Sequence, residues 1–140
     1  MRYDEAIKDL NRAVELNPPQ LMALFRSDRA RSRAKINQTA DALLESMEVA
    51  NADPKDSAVL FNLACVYAIT SGKTTDKQHQ YADRAMELLN NAIAAGYNKA
   101  DSMAKDIDLD PIREREDFKQ LLQSLNDKQP ITDKAKPSGL

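Results

Sequence analysis

The chain has few of the residues that build disulfides, metal centres and catalytic histidine sites. Its 140 residues include one cysteine, Cys65, and one histidine, His79. A single cysteine excludes an internal disulfide framework and a zinc site built on several cysteines. We therefore expect no metal ion and no cofactor, and we interpret Cys65 as a small packed hydrophobic side chain. His79 stands in a polar segment, and we interpret it as a solvated residue.

Turn-forming residues and long apolar runs are scarce as well. Three glycines and six prolines leave few positions where the chain can turn sharply, which favours long helices over many short strands. No apolar run approaches the roughly 18 residues of a membrane span. The charged start of the chain lacks the apolar core of a signal peptide. These absences predict an all-α protein of the cytoplasm without a membrane partner.

Charge is abundant and unevenly distributed. Charged residues make up 30% of the chain, while the formal net charge is only −2. Between Arg26 and Lys35 lie five basic residues and one acidic residue, and between Asp101 and Asp127 lie eight acidic and four basic residues. The small net charge and the 5% content of aromatic residues argue against a nucleic-acid partner, because binding nucleic acid needs positive charge and stacking.

The spacing of apolar residues predicts helices along most of the chain. Five helices are predicted in this way, at residues 3–17, 19–35, 38–51, 57–70 and 77–95. The third has an apolar face at i, i+3, i+4 and i+7, formed by Ala40, Leu43, Leu44 and Met47. The fourth has the same spacing in Leu60, Leu63, Ala64 and Tyr67, where one small residue among large ones allows a neighbouring helix to approach closely.

The C-terminal third is predicted to be more irregular. Gly96 is suited to end the fifth helix, since glycine readily adopts the left-handed conformation found there. A short helix is expected at 98–105 and a loop at 106–110, and Pro111 is expected to begin the last helix. Residues 127–140 carry almost no apolar side chains, and we predict that they form a flexible tail.

Two parts of the sequence resemble tetratricopeptide repeats. The start of the chain resembles the second helix of such a repeat, over the residues Tyr3-Asp4-Glu5-Ala6-Ile7 and Ala13-Val14-Glu15-Leu16-Asn17-Pro18. Residues 58–122 resemble the terminal segment of bacterial multi-repeat proteins, including C-terminal regions of planctomycete-type serine/threonine kinases. The matching residues are Phe61–Ala68, Tyr81–Leu89, Ala92–Tyr97, Asp108–Arg113 and Phe118–Leu122.

The resemblance implies an α-solenoid of about two and a half tetratricopeptide-like hairpins. It places one helical domain at residues 1–126, with a C-terminal helical cap at about 97–126 that covers the open apolar edge of the last repeat. The first helix would lack its partner, so the chain would begin in the middle of a repeat. The sequence has no Gly-rich loop, His-Arg-Asp motif or Asp-Phe-Gly motif, so nothing in it is kinase-like.

The family implies a non-catalytic protein–protein interaction module that binds a partner in a concave groove. Arg26, Arg29 and Arg33 share one face of the second helix, and arginine binds carboxylates in bidentate fashion. They suggest an acidic or C-terminal carboxylate peptide as the partner. One repeat later, the candidate contacts are Phe61, Asn62 and Cys65. The alternative for the arginines is a solvated face paired with Glu45, Glu48 or Asp4.

Other functions stay open at this point. The unpartnered first helix predicts self-association, as a homodimer, through Tyr3, Ile7, Leu10 and Val14. The resemblance also allows a regulatory C-terminal region of a bacterial kinase. An enzyme that uses the aspartates at 106–110 is a third hypothesis, but we expect no enzyme, because a capping role with Arg113 pairing to an aspartate explains these residues. We interpret Gly72-Lys73-Thr74 as a polar loop, since no upstream glycine or strand accompanies it.

Overall fold

A computed structural model describes residues 2–16 and 19–128, and its regular structure within these ranges is entirely helical, without a strand. This confirms the all-α prediction. The helices are α1 Tyr3–Leu16, α2 Pro19–Lys35, α3 Thr39–Asn51, α4 Ser57–Ser71, α5 Gln78–Ala94, α6 Ala100–Lys105, the 3₁₀ helix Ile107–Ile112 and α7 Glu116–Asp127. Among the described segments, none combines the length and the apolar character that a membrane crossing requires.

From α1 to α5, each helix packs on the next one in sequence, and α2 and α4 also pack side by side. α2 contacts α1, α3 and α4, while α4 contacts α3, α5 and the 3₁₀ helix. A short turn joins α2 to α3 at residues 36–38, where Asn37 has a φ of 69°. Asparagine tolerates this left-handed conformation better than most residues. Because α4 contacts α2, α3, α5 and the 3₁₀ helix, it lies at the centre of the described structure.

α4 is buried on every side. All residues from Val59 to Ser71 are buried, because α2, α3, α5 and the 3₁₀ helix surround this segment. A helix that is apolar all round is expected to lie in a core. Asp56 begins the helix, since its carboxylate accepts a hydrogen bond from the backbone N–H of Ala58 at 2.8 Å. The predicted packing residues Leu63 and Ala64 are fully buried.

The segment before α7 differs from the prediction. Residues 107–112 form a 3₁₀ helix that contains Pro111, rather than a loop, and the last helix begins at Glu116. Asp106 starts the 3₁₀ helix by accepting a hydrogen bond from the N–H of Asp108 at 3.0 Å. The expectation that Pro111 opens the last helix was wrong. The 3₁₀ helix continues through Pro111 to Ile112 and ends in a turn, in which the Arg113 N–H donates to the Asp110 carbonyl at 3.2 Å.

The polar segment after α4 attaches the C-terminal end of α2. Lys73 Nζ donates to the Ala34 carbonyl at 2.6 Å and to Asn37 Oδ1 at 2.7 Å. A lysine at the end of a helix satisfies a carbonyl that has no partner in the helix, and it complements the helix dipole. In the structure, the lysine of Gly72-Lys73-Thr74 therefore has a capping role.

Two sequence predictions concern segments that the structure describes only in part. The predicted stop of the first helix at Asn17-Pro18 lies outside the described residues. The same holds for the predicted tail beyond Lys128, while α7 extends to Asp127.

Candidate functional site

The first group of interacting polar residues joins α2, α4 and the C-terminal segment. We call Arg31, Lys35, Asn62, Asp106 and Asp108 the capping cluster. Arg31 Nε lies 2.7 Å from Asp108 Oδ2, Arg31 Nη2 lies 2.7 Å from Asp106 Oδ2, and Lys35 Nζ lies 3.0 Å from Asp108 Oδ2. A guanidinium that binds two carboxylates at once fixes their orientation as well as their position. The cluster therefore holds the start of the 3₁₀ helix against α2.

Asn62 is the buried polar contact between α2 and α4. Its amide oxygen accepts a hydrogen bond from Arg31 Nη1 at 3.1 Å, and its amide nitrogen donates to Ser27 Oγ at 3.0 Å and Asp28 Oδ1 at 2.8 Å. All the hydrogen-bonding atoms of this side chain are thus used. Burial raises the pKa of Asp28, although the hydrogen bond from Asn62 and the charge of Arg31 oppose this change.

An aromatic pair covers the other side of the capping cluster. The rings of Phe61 and Tyr97 are stacked, with centroids 4.5 Å apart and an interplanar angle of 3°. The guanidinium carbon of Arg31 lies 5.6 Å from the Phe61 ring centroid, which adds a cation–π contact. Burial raises the pKa of the Tyr97 hydroxyl to about 12. The predicted partner contacts Phe61 and Asn62 are therefore covered by residues of the same chain.

Cys65 lies beneath the capping cluster and is fully buried. Its Sγ and one carboxylate oxygen each of Asp106 and Asp108 lie within 4.8 Å of one another, which is a spacing that could hold a metal ion. Arg31 and Lys35 already bind these carboxylates, and their positive charges oppose a cation at this point. Burial also raises the pKa of the Cys65 thiol, so the thiolate that a metal needs is disfavoured.

Asp110 also has an intramolecular partner. Its carboxylate accepts a hydrogen bond from Arg113 Nε at 2.9 Å, which confirms the expected pairing of Arg113 with an aspartate. Arg113 additionally donates to the carbonyl oxygens of Ala104 at 2.5 Å and Asp106 at 2.6 Å. The aspartates at 106–110 are therefore tied to structural contacts with arginine, lysine and backbone groups.

The second group lies on the opposite side of α2. We call Arg26, Arg29, Arg33 and their shared partner Glu45 the arginine cluster. Glu45, on α3, is only 5% exposed and is bound by Arg26 Nε at 3.0 Å, by Arg33 Nη1 at 3.2 Å and by Arg29. Burial by itself would raise the pKa of Glu45, but hydrogen bonds from Arg29 and Arg26 outweigh it and hold the pKa below its ordinary value.

The arginine cluster has more positive charge than its acidic partners balance. Within the described residues, Glu45 and Glu48 are the two carboxylates in ion-pair contact with the three guanidinium groups. One positive charge therefore remains. Arg33 Nε is buried and has no hydrogen-bond partner among the residues that the structure describes. Arg29 also donates to Asn11 Oδ1 at 2.8 Å, so the cluster reaches α1.

The structure gathers the predicted site residues into two places. Arg26, Arg29 and Arg33 lie together on one side of α2, as their spacing suggested, and they pair with Glu45 and Glu48 of α3, which was the alternative to a partner contact. Phe61, Asn62 and Cys65 lie under the C-terminal segment, against the other side of α2. The two sets do not form one continuous surface. The contacts of Arg31 were missed, although the basic segment at 26–35 and the acidic segment at 101–127 offered a signal of complementary charge.

The residues predicted for self-association lie on α1, which packs on α2. Ile7 is buried, whereas Tyr3, Leu10 and Val14 are half-buried. Lys35 Nζ lies 5.1 Å from the Tyr3 ring centroid.

Comparison with known proteins identifies no relative of this chain. No model of a protein family, no curated protein and no solved structure matches the chain. The function is therefore inferred from the contacts, charges and exposed surfaces described above.

Proposed function

We propose that the chain is a non-catalytic protein–protein interaction module, built as a short α-solenoid of tetratricopeptide-like hairpins. The order of helix contacts carries this proposal. α2 packs on α3, α4 packs on α5, and α2 and α4 lie side by side. In a solenoid of helical hairpins, each repeat contacts its neighbours, and the first helices of the hairpins lie next to one another. α2 and α4 take the place of those first helices.

The C-terminal segment serves as the cap of this solenoid. Leu109 and Ile112 of the 3₁₀ helix are fully buried against the core, and Phe118 of α7 is almost fully buried. A terminal repeat exposes apolar surface unless a further element covers it. Arg31 and Lys35 fix the cap by binding Asp106 and Asp108. The part of the groove next to α4 is thus filled by the chain itself.

We place the partner at the arginine cluster rather than beside α4. The side chains of Arg26, Arg29 and Arg33 are 16–26% exposed, so each remains partly accessible to solvent. One positive charge is unbalanced, and a carboxylate of a partner would neutralise it. Arginine binds carboxylates through two parallel hydrogen bonds, which favours an acidic peptide as the partner.

A charge-neutral substitution tests this proposal better than charge reversal. Reversal of all three arginines would leave the buried Glu45 carboxylate without a cation, and the fold would be lost together with binding. The probe is a fluorescent peptide rich in aspartate and glutamate with a free C-terminal carboxylate, and its anisotropy is measured. Arg26→Gln is expected to weaken binding by about tenfold, and Glu48→Gln, which frees positive charge, to strengthen it severalfold.

Arg84→Gln provides the matched control for these variants. Arg84 forms an exposed ion pair with Glu87, away from the arginine cluster. Its substitution changes the net charge of the molecule as Arg26→Gln does, so for that variant it separates a local effect from a change in net charge. Equal affinity of the Arg26→Gln, Glu48→Gln and Arg84→Gln proteins for the acidic peptide would refute the proposed site.

Self-association through α1 is the second candidate function. The observation that favours it is the incomplete burial of Tyr3, Leu10 and Val14, while Ile7 is buried against the rest of the molecule. A second copy that packs on this face would bury the remaining apolar surface. Sedimentation analysis over a range of concentrations should then show a dimer that Leu10→Ser weakens. A protein that stays monomeric at high concentration would rule this out.

A further inference from the structure

Helix α3 has an unusual distribution of apolar and charged residues. Its buried residues are Ala42, Glu45, Ser46 and Val49. Leu44 and Met47, in contrast, are 59% and 53% exposed. An amphipathic surface helix ordinarily turns its apolar side inward and its charged side outward. Here the arginine cluster binds Glu45 inside, so the apolar face at Leu44 and Met47 remains in contact with solvent.

The exposed residues of α3 form one continuous surface. At 100° per residue, Leu44 and Met47 lie within a sector of about 120° together with four other exposed side chains. We call this surface the α3 stripe, and its residues are Ala40, Asp41, Leu44, Met47, Glu48 and Asn51. Met47 lies at one edge of this sector and Leu44 near its middle, and the carboxylates of Glu48 and Asp41 lie together at the other edge. Exposed apolar groups with a polar border are typical of protein-interaction sites.

The charge of the α3 stripe is entirely negative. α3 contains no lysine or arginine, and its exposed charged residues are Asp41 and Glu48. Glu48 forms an ion pair with Arg26, whereas Asp41 forms none within the described segments. A partner that covers Leu44 and Met47 would therefore gain by placing positive charge next to Asp41.

Charge also separates the two simplest partners for this surface. α3 itself contributes carboxylates and no lysine or arginine, so in a two-fold dimer through α3 the unpaired Asp41 of each copy would meet no cation from the other copy's α3. An amphipathic helix with aliphatic residues flanked by lysine or arginine would instead bury Leu44 and Met47 and pair with the carboxylates. Methionine adapts its shape to different partners, which suits such a surface. We propose that the α3 stripe binds a basic amphipathic helix of another protein.

This surface is distinct from the arginine cluster, which favours a partner of the opposite charge. Glu48 belongs to the stripe and also binds Arg26. Its substitution by glutamine is expected to act in opposite directions at the two places. Binding of a basic helix at the stripe weakens, while binding of an acidic peptide at the arginine cluster strengthens. The two proposals can therefore fail independently.

The test uses a labelled synthetic amphipathic helix with leucines on one face and lysines beside them. A matched peptide with glutamates in place of the lysines reports the role of charge. We expect the lysine peptide to bind more tightly, and added salt to weaken its binding. The double variant Leu44→Ser with Met47→Ser should reduce its affinity about tenfold or more. Ile107→Ser, at an apolar residue that is 71% exposed elsewhere, should leave it unchanged.

A second variant keeps the test independent of any loss of stability. Asp41→Lys replaces an exposed residue, and it should weaken binding of the lysine peptide and strengthen binding of the glutamate peptide. The proposal is overturned if both peptides bind alike, or if neither variant changes binding. It is also overturned if sedimentation shows a dimer of the chain that the double variant abolishes, because the stripe would then bind a second copy.

Discussion

At the scale of single residues, Glu45 has a tightly constrained environment. Its carboxylate is 5% exposed and binds Arg26, Arg29 and Arg33 at the same time. A buried charge is tolerated only when opposite charges and hydrogen bonds replace water. The arginines compensate Glu45, and Glu45 in turn keeps three like charges close together. Each member of the cluster therefore depends on the others.

Replacement of Glu45 by glutamine should strongly destabilise the protein. The three guanidinium groups would repel one another without the carboxylate between them, and we expect a loss of about 3 kcal/mol in the free energy of unfolding. Urea denaturation measures this loss. Glu48→Gln is the control, because Glu48 is 56% exposed and its surface ion pair contributes at most about 1 kcal/mol. A similar small loss for both variants would contradict this account.

Two carboxylates should give opposite pH dependences. The pKa of Glu45 is lowered from its ordinary value of 4.5, so its stabilising effect is complete above that pH and is lost as the pH falls through the folded-state pKa. The pKa of Asp28 is raised from 3.8, so ionisation of Asp28 lowers stability as the pH rises from 3.8 through its folded-state pKa.

Denaturation across the acid range measures both effects. In the Glu45→Gln protein, the free energy of unfolding should no longer fall on account of this residue as the pH drops below the ordinary pKa of Glu45. Asp28→Asn keeps an oxygen that can accept the hydrogen bond from Asn62 and removes a half-buried charge, so it should leave the protein as stable or more stable at neutral pH. A strong destabilisation by Asp28→Asn would show that the ionised form is required.

At the scale of helices, Gly72 and Pro111 set how closely the 3₁₀ helix approaches the end of α4; the C-terminal segment at about 97–126 is called the cap below. A Cβ atom on Gly72, just after α4, would lie 2.8 Å from Pro111 Cγ. Real Cβ atoms do not approach other carbons this closely, and a proline ring cannot rotate away. Glycine is required at this position by the space that Pro111 occupies, since the backbone of Gly72, with a φ of −77°, suits any residue.

Gly72→Ala should therefore destabilise the cap. Overpacking of this kind costs about 1–2 kcal/mol, which thermal unfolding would detect. Pro111→Ala removes the ring that causes the clash, so the double variant Gly72→Ala with Pro111→Ala should recover part of the loss. If the losses of the two single variants simply add in the double variant, the two residues are not in contact.

At the scale of the whole molecule, two charged segments far apart in sequence meet. The basic segment of α2 supplies Arg31 and Lys35, and the acidic C-terminal segment supplies Asp106 and Asp108. Arg31 and its two carboxylate partners are 75 and 77 residues apart. These contacts hold the cap over α4, where Cys65 is fully buried. The accessibility of this thiol therefore reports whether the cap is in place.

Arg31→Met should open the cap without unfolding the whole chain. Loss of Arg31 leaves Asp106 and Asp108 with less opposite charge, and we expect the rate at which a thiol reagent labels Cys65 under native conditions to rise by about tenfold or more. Lys55→Gln is the control, because the ion pair of Lys55 with Asp53 is exposed. If labelling rises only as much as global unfolding does, the capping cluster has no local role.

The helices could be predicted from the sequence with good accuracy, because helical periodicity is a local property. The spacing of Leu60, Leu63, Ala64 and Tyr67 predicted α4, although the helix is buried on every side rather than on one face, and the predicted range of α2 agrees with the structure. The pairing of Arg113 with an aspartate was also predicted, since the partners are three residues apart. The 3₁₀ helix was missed, because its position depends on contacts with α2 and α4.

Periodicity on its own determined that this chain is helical and where most of its helices lie. Which side of a helix faces the core was decided only by the tertiary structure. In α3, spacing indicated an apolar face with Leu44 and Met47, yet Glu45 is buried instead, because arginines of another helix compensate its charge. Phe61, Asn62 and Cys65 are likewise covered because ion pairs join two distant segments. A local sequence pattern does not show which distant segments meet.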